Sequence, residues 1–279
     1  MIKKIIPFCL YILLGISFIS CSKDDTSDPT SIPNEETETK TTLKSIKKDT
    51  ITAFSVTYNA DKYISSIIDS IDNKKHQFTY YKDGKLWETT SYEKENNQYK
   101  LVERNTFKYE NTFIIKKTYL NVNNQLTIAD STKYFLAKTK DDSEYKIDSL
   151  VHIQLKDSKA EYCKYTWDKT RSNITSIITY NNDKQKHSEL NVTLNEKANL
   201  FNKAKLELYN ASPVLNLFSF GTNNASLIDH KYMTAGTETD YSITSTYKYN
   251  SDKLISKFTI SSSKADHTKY TGEYEVEYQ

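Results

Sequence analysis

The sequence is short of the residues from which most catalytic motifs are built. Its 279 residues include five glycines, four prolines, three cysteines and two tryptophans. With so little glycine there is no phosphate-cradling loop, and GxGxxG, Walker and GxSxG patterns are all missing. The five histidines (His76, His152, His187, His230 and His267) form no HxH, HExxH or HxxxH spacing, and no two cysteines stand at metal-ligand spacing. We therefore expect no metal site and no cofactor, with the histidines at turns or on the surface. Cys9 and Cys21 lie at the N-terminus and Cys163 stands alone in the body, so the body closes no disulfide. Neither sign of charge dominates: 38 Lys and Arg face 36 Asp and Glu. No basic field exists to gather nucleic acid. Proline is absent from Asn34 to Ser212, which leaves a long stretch open to uninterrupted strands.

The N-terminus has its own pattern. Met1-Ile2-Lys3-Lys4 is basic, and an apolar run follows from Ile5 to Ile19, shorter than the roughly 20 residues that span a bilayer. A basic start, a short apolar core and a small residue before a break describe a cleaved export signal over residues 1–20. Ser20-Cys21 resembles a bacterial lipobox, in which the cysteine is diacylated and becomes the new N-terminus; Phe18 stands where leucine is usual. Ser22, Lys23, Asp24 and Asp25 resemble the acidic tag behind the lipidated cysteine of surface-exposed Bacteroidota lipoproteins. The expected address is the outer membrane, lipid-anchored and facing outward. From Ser22 to Ser45 the chain holds six acids, three bases, two prolines and almost nothing apolar. Such a segment cannot bury enough surface to offset its ordering entropy. Residues 21–45 are expected to be a lipidated cysteine followed by a disordered tether, with an r.m.s. span of roughly 27 Å.

What the body has in quantity is aromatic: 22 Tyr and 11 Phe in a chain only 37% hydrophobic. That balance favours sheet. Residues 46–279 repeat a unit with an apolar–x–Tyr pair, a polar turn and a second apolar pair. The clearest copies begin at Phe78, Phe107 and Tyr247, and first members can also be placed at Val56, Tyr134, Cys163, Val192 and Phe218. Alternation puts Phe78 and Tyr80 on one face, and Asp83-Gly84 supplies the positive φ of a tight reversal. Cys163 is expected to be a small buried hydrophobe. The sum is an all-β, antiparallel, up-and-down meander of about 14–16 strands with one aromatic, buried face. A sheet of that length must curl, and we expect a curved open sheet or half-barrel. Glu196–Tyr209 breaks the pattern: Leu200, Phe201, Ala204 and Leu208 fall at helical spacing, so a short helix competes there with two further strands.

The unit resembles the tyrosine–aspartate hairpin repeat of RHS-type proteins, whose Gly-Arg-Leu core has its counterpart in Gly84-Lys85-Leu86. The chain is more similar to uncharacterised Bacteroidota surface lipoproteins built of such hairpins. Their ordered segments correspond to Asn195-Glu-Lys197-Ala198-Asn199-Leu200-Phe201, then Phe220-Gly-Thr-Asn223-Asn224, then Tyr247-Lys-Tyr249-Asn250, with Ala198 and Leu200 where the family pattern has proline. The resemblance implies a fold and an address but no activity.

Two pairs put an acid beside a ring able to stack on sugar: Trp87-Glu88 and Trp167-Asp168. Paired carboxylates could serve a glycosidase, but acids and aromatics also alternate on any half-wet strand. Asp49-Thr50, Asp69-Ser70, Asp130-Ser131 and Asp148-Ser149, each followed by Ile, Thr or Leu, resemble Bacteroidota O-glycosylation sites. The leading expectation is a non-catalytic protein that meets the membrane through its lipid and binds a polysaccharide or protein ligand. A structural or chaperone-like envelope protein shielding a lipid or partner strand is the alternative, and a glycan-active enzyme the remotest.

Overall fold

The computed structural model describes residues 42–138, 145–170, 172–198, 213–218, 220–234 and 237–279. They contain β1 (Leu43–Lys48), β2 (Ile51–Tyr58), β3 (Ile64–Asp69), β4 (Lys74–Tyr80), β5 (Leu86–Glu95) and β6 (Gln98–Tyr109). Next come β7 (Phe113–Val122), β8 (Gln125–Lys138), β9 (Tyr145–Gln154), β10 (Lys159–Trp167), β11 (Ile174–Tyr180) and β12 (Lys186–Ala198). A helical turn α1 (Pro213–Asn216) precedes β13 (Asn223–Thr234), β14 (Thr237–Tyr249), β15 (Ile255–Ser262) and β16 (Gly272–Tyr278). Each strand pairs antiparallel with its neighbours in sequence, and β1 pairs with β16. The sheet is a closed barrel, not the open sheet or half-barrel expected from the sequence. Repeat and pleat fix how each strand meets the next, but not whether the last strand meets the first. Closure leaves no unpaired edge.

The seam is well made. Thr42 and Gln279 exchange backbone hydrogen bonds at 3.1 and 2.9 Å. Lys47 pairs with Glu277, which also accepts from Ser45 Oγ at 2.6 Å. Lys257 on β15 reaches Glu275 at 2.6 Å and Glu273 at 3.2 Å on β16. These charges stand on the outer wall, where pleat alternation sends every second side chain. β1 takes up Leu43–Ser45, the last residues of the stretch expected to be tether.

The repeat has a physical purpose at the barrel end where β1 begins and β16 finishes. In each apolar–x–aromatic pair the first residue enters the core: Val56, Phe78 and Phe107 are buried. On β2, β4, β10 and β16 the second lays its ring across the rim and donates to the carbonyl near the start of the preceding strand. Tyr58 bonds Leu43 at 2.9 Å, Tyr80 bonds Ile64 at 2.8 Å, Trp167 bonds Ile147 at 2.7 Å and Tyr278 bonds Ile255 at 2.8 Å. One side chain thus buries an apolar ring and satisfies a backbone acceptor. Burial pushes the Tyr58 phenol up to about 12, against the hydrogen bond to Leu43. On β10 the rim pair is Tyr165-x-Trp167, so Cys163, half-buried, lies two residues ahead of its assigned place.

The turns use two solutions. Asn96-Asn97 and Asn123-Asn124 take positive φ at both central positions, as two-residue hairpins require. In the longer turns Asn59, Asn181 and Asn250 accept the backbone N–H four residues on, each at 2.9 Å, and the left-handed residue is Lys62, Lys184 or Lys253. Gly84 holds the equivalent place, with φ +79°. Asparagine in these turns is a side-chain clamp rather than the left-handed residue.

The interior is filled by aromatics and by the chain itself. Phe258 stacks on Tyr274 with centroids 4.8 Å apart. The segment just before β13 lies inside as a plug: Val214, Leu215, Leu217, Phe218 and Phe220 are all buried. Phe218 meets the inward rings of Phe258 and Tyr247 edge-on, at 5.6 and 6.4 Å. Phe218 therefore belongs to the plug and not, as its place in the repeat suggested, to a strand. Of the segment expected to be helical, Glu196–Ala198 end β12 and the remainder lies outside the described residues. One histidine departs from the expected turn or surface position. His76 is 3% exposed and lowered to about 4 by burial.

One buried acid makes the fold pH-sensitive. Asp69 closes β3 with no exposed surface; its Oδ1 accepts the N–H groups of Ile71 and Asp72 at 2.9 and 3.0 Å. Burial pushes its carboxyl up to about 6, against the pull of those two donors. A carboxyl raised on folding favours the folded state while protonated. Its contribution is complete below the ordinary carboxylate range and is lost as pH rises to about 6, on the order of 3 kcal/mol in all. His76 and His230, both lowered to about 4 by burial, act in the opposite sense over the same window, so the readout is a difference: the urea midpoint of the wild type relative to Asp69→Asn should fall from pH 4 to 7.

Candidate ligand-binding surface

Trp87 is placed by a break in register. Thr79 pairs with Glu88 and Tyr80 with Leu86, which leaves Trp87 as the extra residue of a β-bulge. The bulge buries Leu86 and turns the indole outward, 43% exposed. Tyr81 lies 6.3 Å from it, ring to ring, and is 42% exposed. Its hydroxyl donates to the Phe107 carbonyl at 3.0 Å, and its ring meets Tyr109 edge-on at 6.2 Å, so the ring is held flat to the wall. Tyr63, also exposed, stacks on Tyr80 at 5.0 Å and sets its hydroxyl over Gly84. The result is a strip of outward aromatic faces along one rim.

Polar groups flank the strip. Arg104 grips Glu88 through Nε at 2.7 Å and Nη2 at 2.5 Å. Lys85 bonds Asp83 at 2.7 Å and lies 5.7 Å from the Tyr109 ring centroid. Exposed rings bordered by fixed hydrogen-bonding groups suit a sugar, whose CH faces stack while its hydroxyls bond. Glu88, engaged by the guanidinium, is not a free acid. The sequence pointed to Trp87 and Glu88 but not to Tyr63 or Tyr81; the doubled aromatic Tyr80-Tyr81 just before a turn was the signal available.

Trp167-Asp168 sits in a different environment. The Trp167 indole N–H is given to Ile147 and its ring packs on the core. Asp168 Oδ1 accepts from Thr170 Oγ1 and Ser172 N, both at 2.9 Å, and Oδ2 from Asn173 Nδ2 at 2.7 Å. Burial pushes this carboxyl up, but the Asn173, Thr170 and Ser172 bonds outweigh it and hold it below the usual range. Asn173 continues the network, donating to Asn223 Oδ1 at 2.9 Å and accepting the Asn223 N–H at 2.9 Å. Asn224 donates to the Lys197 and Ala198 carbonyls at 3.2 and 2.8 Å, and Asn195 to the Tyr249 hydroxyl at 3.0 Å. The three separated segments of the family-like pattern meet here and clasp the plug to the rim. Beside them lies an open cleft of about 590 Å³ reaching Thr193 and Glu196. The structure does not bring the two tryptophan pairs together: one is on β5, the other at the end of β10.

Cys21, Ser22, Lys23, Asp24 and Asp25 lie outside the described residues. Cys163 Sγ is 3.4 Å from Thr179 Oγ1, and burial pushes its thiol up, the opposite of an activated nucleophile. Of the glycosylation-like sites, Thr50 and Ser70 are exposed and Ser149 is buried. No group of three metal-ligating side chains occurs among the described residues, and none of their helices is long and apolar enough to cross a membrane.

No protein-family model and no curated protein matches the sequence. Among solved structures, a porin-like protein from Bacteroides uniformis ATCC 8492 is similar at TM-score 0.41 and 11% identity, over 85% of this chain and 96% of that one. A porin-like protein from Bacteroides vulgatus ATCC 8482 is similar at TM-score 0.36 and 14% identity, over 78% and 99%. A protein of unknown function from Bacteroides fragilis NCTC 9343 covers 44% of this chain at TM-score 0.24 and 15% identity. At such low TM-scores, what those proteins are named for does not carry over.

The two tryptophans should answer differently to the same change. Trp167→Phe removes the donor to a buried carbonyl and should cost on the order of 1–3 kcal/mol in urea unfolding. Trp87→Phe, on the exposed strip, should stay within about 0.5 kcal/mol of wild type.

Proposed function

We propose that this chain is a non-catalytic, lipid-anchored barrel displayed on the outer membrane, and that it binds polysaccharide through the rings around Trp87. The observation that carries the reading is the bulge that turns Trp87 outward beside Tyr81, at a rim where the other rings of the repeat are folded into the core. The chain spends no core-forming role on Trp87, and a ring left 43% exposed on a rigid strand is ready to stack without reorganisation. The Glu88–Arg104 pair supplies bonding for hydroxyls at a fixed position.

The character of the outer wall supports anchoring by lipid rather than by the barrel. A membrane-spanning barrel turns an apolar band outward. Here the row Lys257, Glu275, Lys47 runs in register across β15, β16 and β1, and Arg104 and Glu88 stand outward on β6 and β5. That part of the wall suits water, and Cys21 with its acyl chains would hold the domain to the surface. The plug speaks against the lipid-shielding alternative, because the chain's own Val214, Leu217 and Phe218 occupy the apolar interior.

One experiment tests address and activity together: labelled polysaccharides applied to intact cells carrying wild type, Trp87→Ala or Cys21→Ala. The wild type should bind at least one glycan. Trp87→Ala, at equal surface level, should bind it about tenfold more weakly, near 1.4 kcal/mol, and Cys21→Ala cells should neither display the protein nor bind. Equal binding by wild type and Trp87→Ala would remove the glycan reading, and undiminished display of Cys21→Ala would remove the anchor.

A further inference from the structure

The outer wall is not the same all round. On β7 to β9 pleat alternation turns Ile114, Thr118, Thr132, Tyr134 and Ile147 inward, where all are buried. Alternate residues face out. Register sets Ile115, Lys133, Val151, Tyr162 and Tyr180 in one outward row across β7 to β11. Beside it run Phe113 with Phe135, and Ile153 with Ala160. Ile128, Ile153 and Tyr162 are exposed, and an open apolar groove of about 490 Å³ lies over Val151, Ala160, Tyr162 and Tyr180. The matching outward positions on β14 and β15 are Thr244 with Ser261, Thr246 with Thr259 and Lys248 with Lys257. Paired charges bound the apolar arc on both sides, Arg104 with Glu88 before it and Lys186 with Glu189 after it.

Within the arc, charge has one sign. Lys117, Lys133 and Lys164 stand outward, and none of them forms an ion pair among the described residues. Lys133 Nζ lies 3.9 Å from the Phe113 ring centroid and 5.1 Å from that of Phe135, so cation and rings share one spot. Register puts Asp130 and Glu161 on the inner face, opposite Thr118 and His152. The exposed acid of these strands, Asp148, is the extra residue of a bulge. An apolar arc studded with unpaired lysines fits the boundary between acyl chains and anionic headgroups. A twofold contact between copies would instead lay a cationic patch on itself. The arc takes five strands of sixteen, so it can rest on a bilayer but not span one.

We propose that the barrel lies on the membrane surface on this wall, with Ile128, Ile153 and Tyr162 at the apolar boundary and the lysines on lipid phosphates. The inference rests on the lipid-anchor reading for delivery to the bilayer. Twenty residues separate Cys21 from Thr42, up to about 70 Å of chain, which brings the barrel to the bilayer without choosing its side. In the strand order the charged seam is half-way round from β8 and β9, and it faces water.

The test uses the full chain purified from membranes and reconstituted in vesicles of phosphatidylcholine and phosphatidylglycerol whose acyl chains carry a photoactivatable diazirine. Illumination comes first and a high-salt wash second, so the labelled face is read whether or not the anchor retains the chain. Peptides of β8, β9 and β10 should take up about tenfold more label than those of β14 and β15. An Ile153→Glu, Tyr162→Glu variant should lose most of that label with retention unchanged, since a carboxylate resists leaving water; if it does not fold, the wild-type ratio decides alone. Label spread evenly over both walls, or absent from β8 to β10, would overturn the docking, and in a chain that runs as a dimer the second result would assign the wall to another copy. Loss of the chain in the wash would overturn the anchor and leave the docking to the label.

Discussion

A sixteen-stranded meander has two raw edges, and the pairing of β1 with β16 removes both. Once that seam forms, the sheet encloses a volume, and a barrel with this many strands is wide enough to leave a lumen unless something fills it. Two devices do so. Each hairpin sends an aromatic or branched residue inward, and the segment before β13 returns as a plug. Closure also sorts the side chains around the seam, with Phe258 and Tyr274 inside and the lysine–glutamate pairs of β1, β15 and β16 outside.

The rim bonds show how a repeat can be both a folding unit and a surface. On β2, β4, β10 and β16 the aromatic that ends the strand reaches sideways to the start of the previous one, so these four hairpins are held by more than their ladders. Trp87 departs from this pattern. It occupies a bulge just past the stitch, where a side chain has nowhere inward to go. A binding strip at that place costs the fold little, because the strand is held by Leu86 and Tyr80 on either side. The clasp around Asn173 and Asn224 is the opposite case, in which polar residues that look available in sequence are consumed in holding the plug.

Much of the fold was legible because it follows from local rules. The alternation around Phe78 and Tyr80, the Asp83-Gly84 turn and the near-constant repeat all gave antiparallel hairpins in sequence order. Closure was not legible, since no single repeat records where the last strand lies relative to the first. The plug was hidden for a related reason: Phe218 falls on the repeat spacing, and an apolar residue reads alike in a strand and in a plug. In the candidate site, the Trp87 pair and the Trp167 pair are indistinguishable as dipeptides. Only the register on either side decides that one indole faces solvent and the other donates to Ile147.

The account rests on closure, and a cross-link across the seam tests it directly. Lys47 and Glu275 are register partners on β1 and β16, at a separation that a disulfide can bridge. In a Lys47→Cys, Glu275→Cys variant, mild oxidation of the dilute protein should form an intramolecular bond in nearly every molecule, with unchanged circular dichroism and a raised melting temperature. Two thiols that stay free and reactive in the native protein under those conditions would mean that the edges do not meet, and the barrel would be contradicted.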